Sequence, residues 1–109
     1  MKREFPKAVV KRWVDGDTVD IDVDLGFKVW SEQRFRLAGI NTPEKKEAGY
    51  TEAIDFCNQK APAGTSVNVT CHGYDRYGRW IADVVTSSDG SSIGTSLLAA
   101  GLAKEWKTN

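Results

Sequence analysis

The sequence predicts an α+β class that is mainly β, with five short strands closed into a small barrel and two helices beside it. Three observations predict this. Short runs with period-two alternation recur along the chain, turns rich in Gly, Asp, Asn and Pro separate them, and only two segments read as helices. A length of 109 residues fits one domain, residues 1–109, and is enough to bury a modest core without a metal or disulfide.

Residues 8–14 (AVVKRWV) read as the first strand, ended by the turn Asp15-Gly16-Asp17-Thr18. The run TVDIDVDLG that follows alternates strictly. Val19, Ile21 and Val23 fall on one face; Asp20, Asp22 and Asp24 fall on the other, expected to be a solvated acidic face with no catalytic role. Residues 29–40 (VWSEQRFRLAGI) carry the next strand or strands. Asn41-Thr42-Pro43-Glu44 is a turn, because Pro43 forces Thr42 out of helical geometry.

Residues 51–60 read as a helix with Thr51 as N-cap and an apolar stripe of Ala53, Ile54, Phe56 and Cys57. Residues 61–64 (APAG) break it. Residues 65–72 alternate again, with Val67, Val69 and Cys71 inward, and the turn at 73–79 leads into residues 80–86 to complete a hairpin. After the loop SSDGSS, residues 92–101 form a short helix with Gly101 just past its end, and residues 102–106 are extended. Such a set is expected to close as an antiparallel barrel of the OB type.

Fifteen basic and 15 acidic residues balance, so no strongly basic surface is expected. Contact with nucleic acid would rest on local placement of Arg and Lys. Cys57, Cys71 and His72 show no zinc-ligand spacing, and the two cysteines are expected as buried free thiols. No stretch approaches the ~20 apolar residues of a membrane span. The first residues lack the apolar core of a signal peptide, which places the protein in the cytoplasm if Met1 is the native start, or outside it if a leader has been removed.

Three turns are chemically loaded: Asp15–Thr18, Asn41–Glu44 and Asp75–Arg79. The aspartates of the first suit a hard cation such as Ca²⁺, and equally suit capping of their own turn. An EF-hand starting at Asp15 is excluded, because its sixth and twelfth positions would be Asp20 and Gly26. Arg36 stands in an apolar run and keeps its charge, so burial demands an anionic partner. That partner is either a nearby carboxylate or a phosphate. Arg79, on the hairpin turn, admits the same two readings. Taken together, two guanidinium forks, a carboxylate-bound metal and a free carboxylate at Glu44 match hydrolysis of a phosphodiester.

The ordered motifs DGDT, FRL…NTPE, DRYGR and a helix ending GLAK resemble the staphylococcal nuclease (thermonuclease) family, from about Val9 to Lys104. The resemblance implies an OB-type five-stranded barrel and Ca²⁺-dependent cleavage of DNA and RNA to 3′-phosphate products; a monomer with no membrane partner is expected. Position by position, it makes Asp17 a metal ligand and Thr42 a second through its backbone carbonyl. Arg36 matches the first phosphate-binding arginine and Arg79 the second, placed to stabilise the transition state. Glu44 matches the glutamate that activates or orients water. Asp15 matches an acidic residue near the metal that does not touch it, and Arg76 and Tyr77 match the pair beside a bound nucleotide's terminal phosphate.

Two departures stand out. The family's turn is D-T-P-E, whereas this chain has Asn41, which keeps one oxygen for the cation but removes a charge and predicts weaker Ca²⁺ binding. The chain also ends at Asn109, without a counterpart of the family's last C-terminal helix, and its loop after Glu44 is shorter and its hairpin from Val23 to Phe35 longer. The alternatives to a nuclease are a related domain that binds nucleic acid or protein without cutting, and a structural OB module whose charges are salt bridges.

Overall fold

Alternation of apolar and polar residues becomes a set of strands in the computed structural model, which describes residues 2–106. In chain order the elements are β1 (Arg3–Asp15), β2 (Thr18–Asp24), β3 (Trp30–Leu37), β4 (Ile40–Asn41), α1 (Tyr50–Lys60), β5 (Ser66–Tyr74), β6 (Trp80–Thr86), α2 (Ile93–Ala99) and β7 (Lys104–Glu105). Five strands close into a barrel in the order β1-β2-β3-β6-β5, while β4 and β7 pair separately. The first strand begins at Arg3, earlier than its alternation suggests, because Arg3–Phe5 pair with Val69–Cys71 of β5.

The barrel departs from the antiparallel expectation at one seam. β3 and β6 run parallel, with Phe35, Arg36 and Leu37 opposite Trp80, Ile81 and Ala82. The reason is topological: strand direction cannot alternate all the way round a closed ring with an odd number of members. One parallel pair is unavoidable, and it falls where α1 and β5 intervene between the partners.

The period-two pattern puts Val10, Val19, Ile21, Phe35, Leu37, Val67, Val69 and Val84 in the interior. Ala53 and Cys57 of α1 and Ile93 and Leu97 of α2 extend the same core over the barrel's flank. Trp13 lies over this junction, and its Nε1–H donates to the carbonyl of Ala61 at the end of α1, 2.9 Å away. Cys57 and Cys71 are both buried free thiols. Desolvation raises the Cys57 pKa to about 12, so it packs as an apolar side chain.

The helix ends follow different rules. Ser92 caps α2, its Oγ accepting from Thr95 N–H at 3.2 Å. At the other end Gly101 takes φ 74°, and the amides of Gly101 and Leu102 reach back to the carbonyls of Leu98 and Leu97. Thr51 does not cap α1. Gly49 does, at φ 93° and without a side-chain bond, which turns the chain so that the helix starts at Tyr50.

The acidic face of β2 also differs from expectation. Asp20 is only 3% exposed. It does face outward, but the side chains of Arg12 and Arg34 close over it from the neighbouring strands, with Arg12 Nε at 3.0 Å and Arg34 Nε at 2.8 Å. The hydrogen bond from Arg34 holds its pKa below the usual carboxylate value, and both guanidinium charges add to that, against the opposing effect of burial.

This has a pH consequence. A depressed native pKa contributes stability that is complete above the unfolded value of 3.8 and is lost as pH falls through that value toward the native one. Asp20→Asn should therefore lower the urea midpoint at pH 7, and the gap from the parent should narrow between about pH 5 and 3. A gap that stays constant over that range would remove the Asp20 cluster from the acid response.

Candidate active site

The site is assembled where the β1–β2 turn meets the parallel seam. Gly16 lets two neighbours close on that turn. A Cβ on Gly16 would lie 2.7 Å from Ala53 Cβ and 2.9 Å from Thr42 Oγ1, so only glycine admits both α1 and the 41–44 turn. Cys57 Sγ–H donates to the Gly16 carbonyl at 3.4 Å, and Leu37 N–H to the Asp17 carbonyl at 2.8 Å. Asp17 is thereby fixed and nearly buried. Its Oδ1 accepts from the Thr18 hydroxyl and its Oδ2 from Thr42 N–H, both at 3.2 Å. Asp15 stands at the turn's start, where its Oδ1 accepts from the Tyr50 hydroxyl at 2.7 Å. That bond stabilises the neutral phenol and raises the Tyr50 pKa.

Arg36 leaves β3 on the face away from the core and is 6% exposed. Its Nη1 donates to the carbonyls of Leu37 and Ile40, each at 2.8 Å, and its Nη2 donates to Asn41 Oδ1 at 3.0 Å. Asp17 Oδ2 lies 3.6 Å from Nη2. The ring of Trp106 covers the guanidinium at 4.6 Å. Burial lowers the Arg36 pKa, with Asp17 opposing that fall; an arginine so held remains charged. Trp106 reaches this place because β7 pairs with β4, Lys104 opposite Asn41, and Trp106 N–H continues the pairing to the Gly39 carbonyl at 2.9 Å.

Arg79 arrives from the β5–β6 turn. Asp75 organises that turn: its Oδ1 accepts from Tyr77 N–H and Arg79 N–H at 2.8 and 3.0 Å, and its Oδ2 accepts from Arg79 Nε at 2.8 Å. Burial alone would raise the Asp75 pKa, but those two amides and the guanidinium outweigh it and hold the pKa low. Arg79 Nη1 then reaches Thr18 Oγ1 at 3.5 Å.

One cavity of about 490 Å³ is lined by Asp15, Asp17, Arg36, Asn41, Thr42, Glu44 and Arg79, together with Pro43, Lys45 and Trp106. Seven of the residues singled out in the sequence therefore converge. Arg76 and Tyr77 do not line it; both are exposed on the 75–79 turn, where Tyr77 lies 5.4 Å from the Arg79 guanidinium. Trp106, Tyr50 and Asp75 were not legible as site residues. Asp75 had a signal, since Asp commonly opens a turn by accepting from amides two and four residues on. Trp106 had none beyond its aromaticity.

A hard cation needs oxygen donors, and Asp17, Asn41 and the Thr42 backbone offer them on one cavity wall. Thr42 Oγ1 is also buried beside the turn of Asp17, without a hydrogen-bond partner among the described residues. The donor chemistry fits Ca²⁺, with one full negative charge. No group of three or more His, Cys, Asp or Glu side chains gathers as a metal cluster among the described residues. Glu44 is exposed and engaged in no ion pair among the described residues.

Comparison with known proteins agrees with this geometry. The family model described as staphylococcal nuclease homologue matches residues 34–109. That range takes in Arg36, Asn41, Thr42, Glu44 and Arg79, while Asp15 and Asp17 precede it. Two relatives, each named an uncharacterized endonuclease, from Escherichia coli O157:H7 and Escherichia coli, are 35% identical over 94 residues. The alignments cover 86% of this chain and 57% of each relative, so the chain spans little more than half their length.

Asp75 makes three of the bonds that shape the Arg79 turn, so Asp75→Ala should cost about 1–3 kcal/mol of stability. Amide exchange at Tyr77 and Arg79 should quicken more than in β1. Unchanged protection at both amides would show that the turn holds its shape without the carboxylate.

Proposed function

The chain belongs to the staphylococcal nuclease homologue family, and on that premise we propose that it is a calcium-dependent, sugar-nonspecific nuclease. In this reading residues 1–109 act as one domain and a monomer, hydrolysing phosphodiester bonds of DNA and RNA to 3′-phosphate products. The observation that carries the reading is the convergence of two guanidinium groups, Arg36 and Arg79, with Asp17 and Glu44 around one cavity. Among the described residues no helix is long and apolar enough to cross a membrane.

Asp17, Asn41 and the Thr42 carbonyl would hold Ca²⁺, which supplies positive charge beside the phosphodiester. Arg36 is fixed by two backbone carbonyls and Asn41, leaving Nε and one Nη2 hydrogen for phosphoryl oxygens. Arg79, anchored through Nε to Asp75, keeps Nη2 for the charge that develops on phosphoryl or leaving oxygens. Glu44 orients water for in-line attack and takes its proton. The new P–O bond forms as the P–O5′ bond breaks, and the departing 5′ oxygen takes a proton from solvent, giving a 3′-phosphate and a 5′-hydroxyl. Asp15, held by Tyr50, keeps a second negative charge near the cation without touching it. Arg76 and Tyr77, exposed on the Arg79 turn, would meet the terminal phosphate of a bound nucleotide.

Digestion of DNA and RNA with Ca²⁺, and with chelator, tests the reading beside Arg79→Ala and Glu44→Ala. Each substitution should cut kcat by about 10²–10⁴. Failure of the parent protein to cleave under any divalent ion would overturn the enzyme reading, as would cleavage that survives chelator or both substitutions. Residue 41 has its own test. Restoring charge with Asn41→Asp should lower the half-saturating Ca²⁺ concentration, because affinity follows ligand charge. An unchanged value would exclude residue 41 from the cation site.

A further inference from the structure

The parallel seam is short, and what lies below it is a groove. β3 meets β6 only from Phe35 to Leu37. Before Phe35, β3 and the β5–β6 hairpin separate, and the mouth of the barrel opens between them. A cavity of about 270 Å³ occupies this opening. Its walls are Phe5, Val23, Leu25, Phe35, Cys71 and Trp80, with Arg3, Ser31 and Gln33 supplying the polar groups. Arg3 lies 5.7 Å from the Phe5 ring. Trp80 is stacked at a tilt against Tyr74, with ring centroids 4.3 Å apart, and Tyr74 is more than half exposed.

The chemistry of the lining narrows the occupant. It has flat aromatic walls and one cation, and among the described residues no carboxylate. Gln33 accepts from Trp80 Nε1–H at 3.1 Å and donates through Nε2 to Ser31 Oγ at 2.8 Å. The remaining hydrogen and lone pair of that carboxamide are left for a ligand with both donors and acceptors at its edge. A planar ring with such an edge, carried on an anionic backbone, is a nucleobase of a polynucleotide. The groove shares no lining residue with the proposed active site but adjoins it along the chain, since Trp80 opens β6 directly after Arg79.

Resting on the nuclease reading, we propose that this groove binds a base of single-stranded substrate a few nucleotides from the scissile phosphate. The base leaves its stack to lie against Trp80 and Tyr74, near Gln33, while Arg3 meets the backbone. Stacking on a protein ring is tolerant of base identity, so the groove holds a strand in place without reading its sequence. A duplex, whose bases are already stacked and paired, would gain little from it.

Two substrates separate this site from the catalytic cavity: 5′-fluorescein-labelled dT16 and the dinucleotide dTpdT, which is too short to reach both. Binding of dT16 is measured in chelator, and cleavage of both with Ca²⁺. Tyr74→Ala, Gln33→Leu and Trp80→Leu are compared with Trp80→Phe, and thermal unfolding reports on each fold. Tyr74→Ala and Trp80→Leu should weaken dT16 binding about tenfold or more. Trp80→Phe should restore most of it, and dTpdT cleavage should be unchanged. Equal dT16 binding by parent, Tyr74→Ala and Trp80→Leu would overturn the proposal, as would losses of the same size on dTpdT and dT16. If the parent cuts nothing yet the variants lose dT16 binding, the groove stands and the nuclease reading fails. If the parent cuts and the variants bind like the parent, the reverse holds.

Discussion

The architecture of the site depends on keeping one charged guanidinium out of water. Arg36 cannot shed its proton, so at 6% exposure every face and edge needs a partner. The backbone supplies two, the carbonyls of Leu37 and Ile40. Those carbonyls can converge on one Nη1 only if the chain turns sharply between them, and Gly39, at φ 74°, makes that turn. The same corner delivers Asn41 to Nη2 and sets Thr42 N–H against Asp17. β7 then lies along β4 and brings Trp106 over the guanidinium's face. Removing Arg36 would take a donor from the carbonyls of Leu37 and Ile40 and from the Asn41 carboxamide, and would leave Asp17 without its nearest cation.

Much of the fold was legible because alternation is a local property. The inward sets Val19, Ile21, Val23 and Val67, Val69, Cys71 could be assigned from two-residue periodicity alone, and the α2 stop from Gly101. What could not be read depends on neighbours distant in sequence. Asp20 looked solvated because nothing in TVDIDVDLG tells that Arg12 and Arg34 will flank it across two strand pairings. Thr51 looked like a cap because its type is right, but the orientation of Gly49 decided the start of α1. The parallel seam followed from strand number, which becomes decisive only once the ring is known to close.

The site divides along the same line. Residue types in loaded turns pointed to Asp17, Arg36, Glu44 and Arg79, and these line one cavity. Their supports were hidden: Tyr50 on Asp15, Asp75 on Arg79 and Trp106 on Arg36. A support is recognised only by the bond it makes, and each of these bonds depends on folding. Arg76 and Tyr77 stand apart from that cavity, exposed on the turn that carries Arg79.

The charge of the cavity explains why cation and substrate would be coupled. Its lining holds three carboxylates, Asp15, Asp17 and Glu44, and three cations, Arg36, Lys45 and Arg79. A phosphodiester entering it meets little net attraction, in keeping with a chain whose formal charge is zero. Arg36 is moreover partly neutralised by Asp17, and Arg79 by Asp75. On the nuclease reading, a divalent cation on Asp17 would change this balance: it would offset that carboxylate and leave Arg36 with less competition for its free donors. Substrate would then meet a more positive cavity, and because such coupling is reciprocal, substrate would in turn tighten the hold on the cation. With Asn41 in place of a second carboxylate, the cation would rely more on the substrate for its hold. The asparagine would thus shift the site from binding metal first toward binding metal and phosphodiester together.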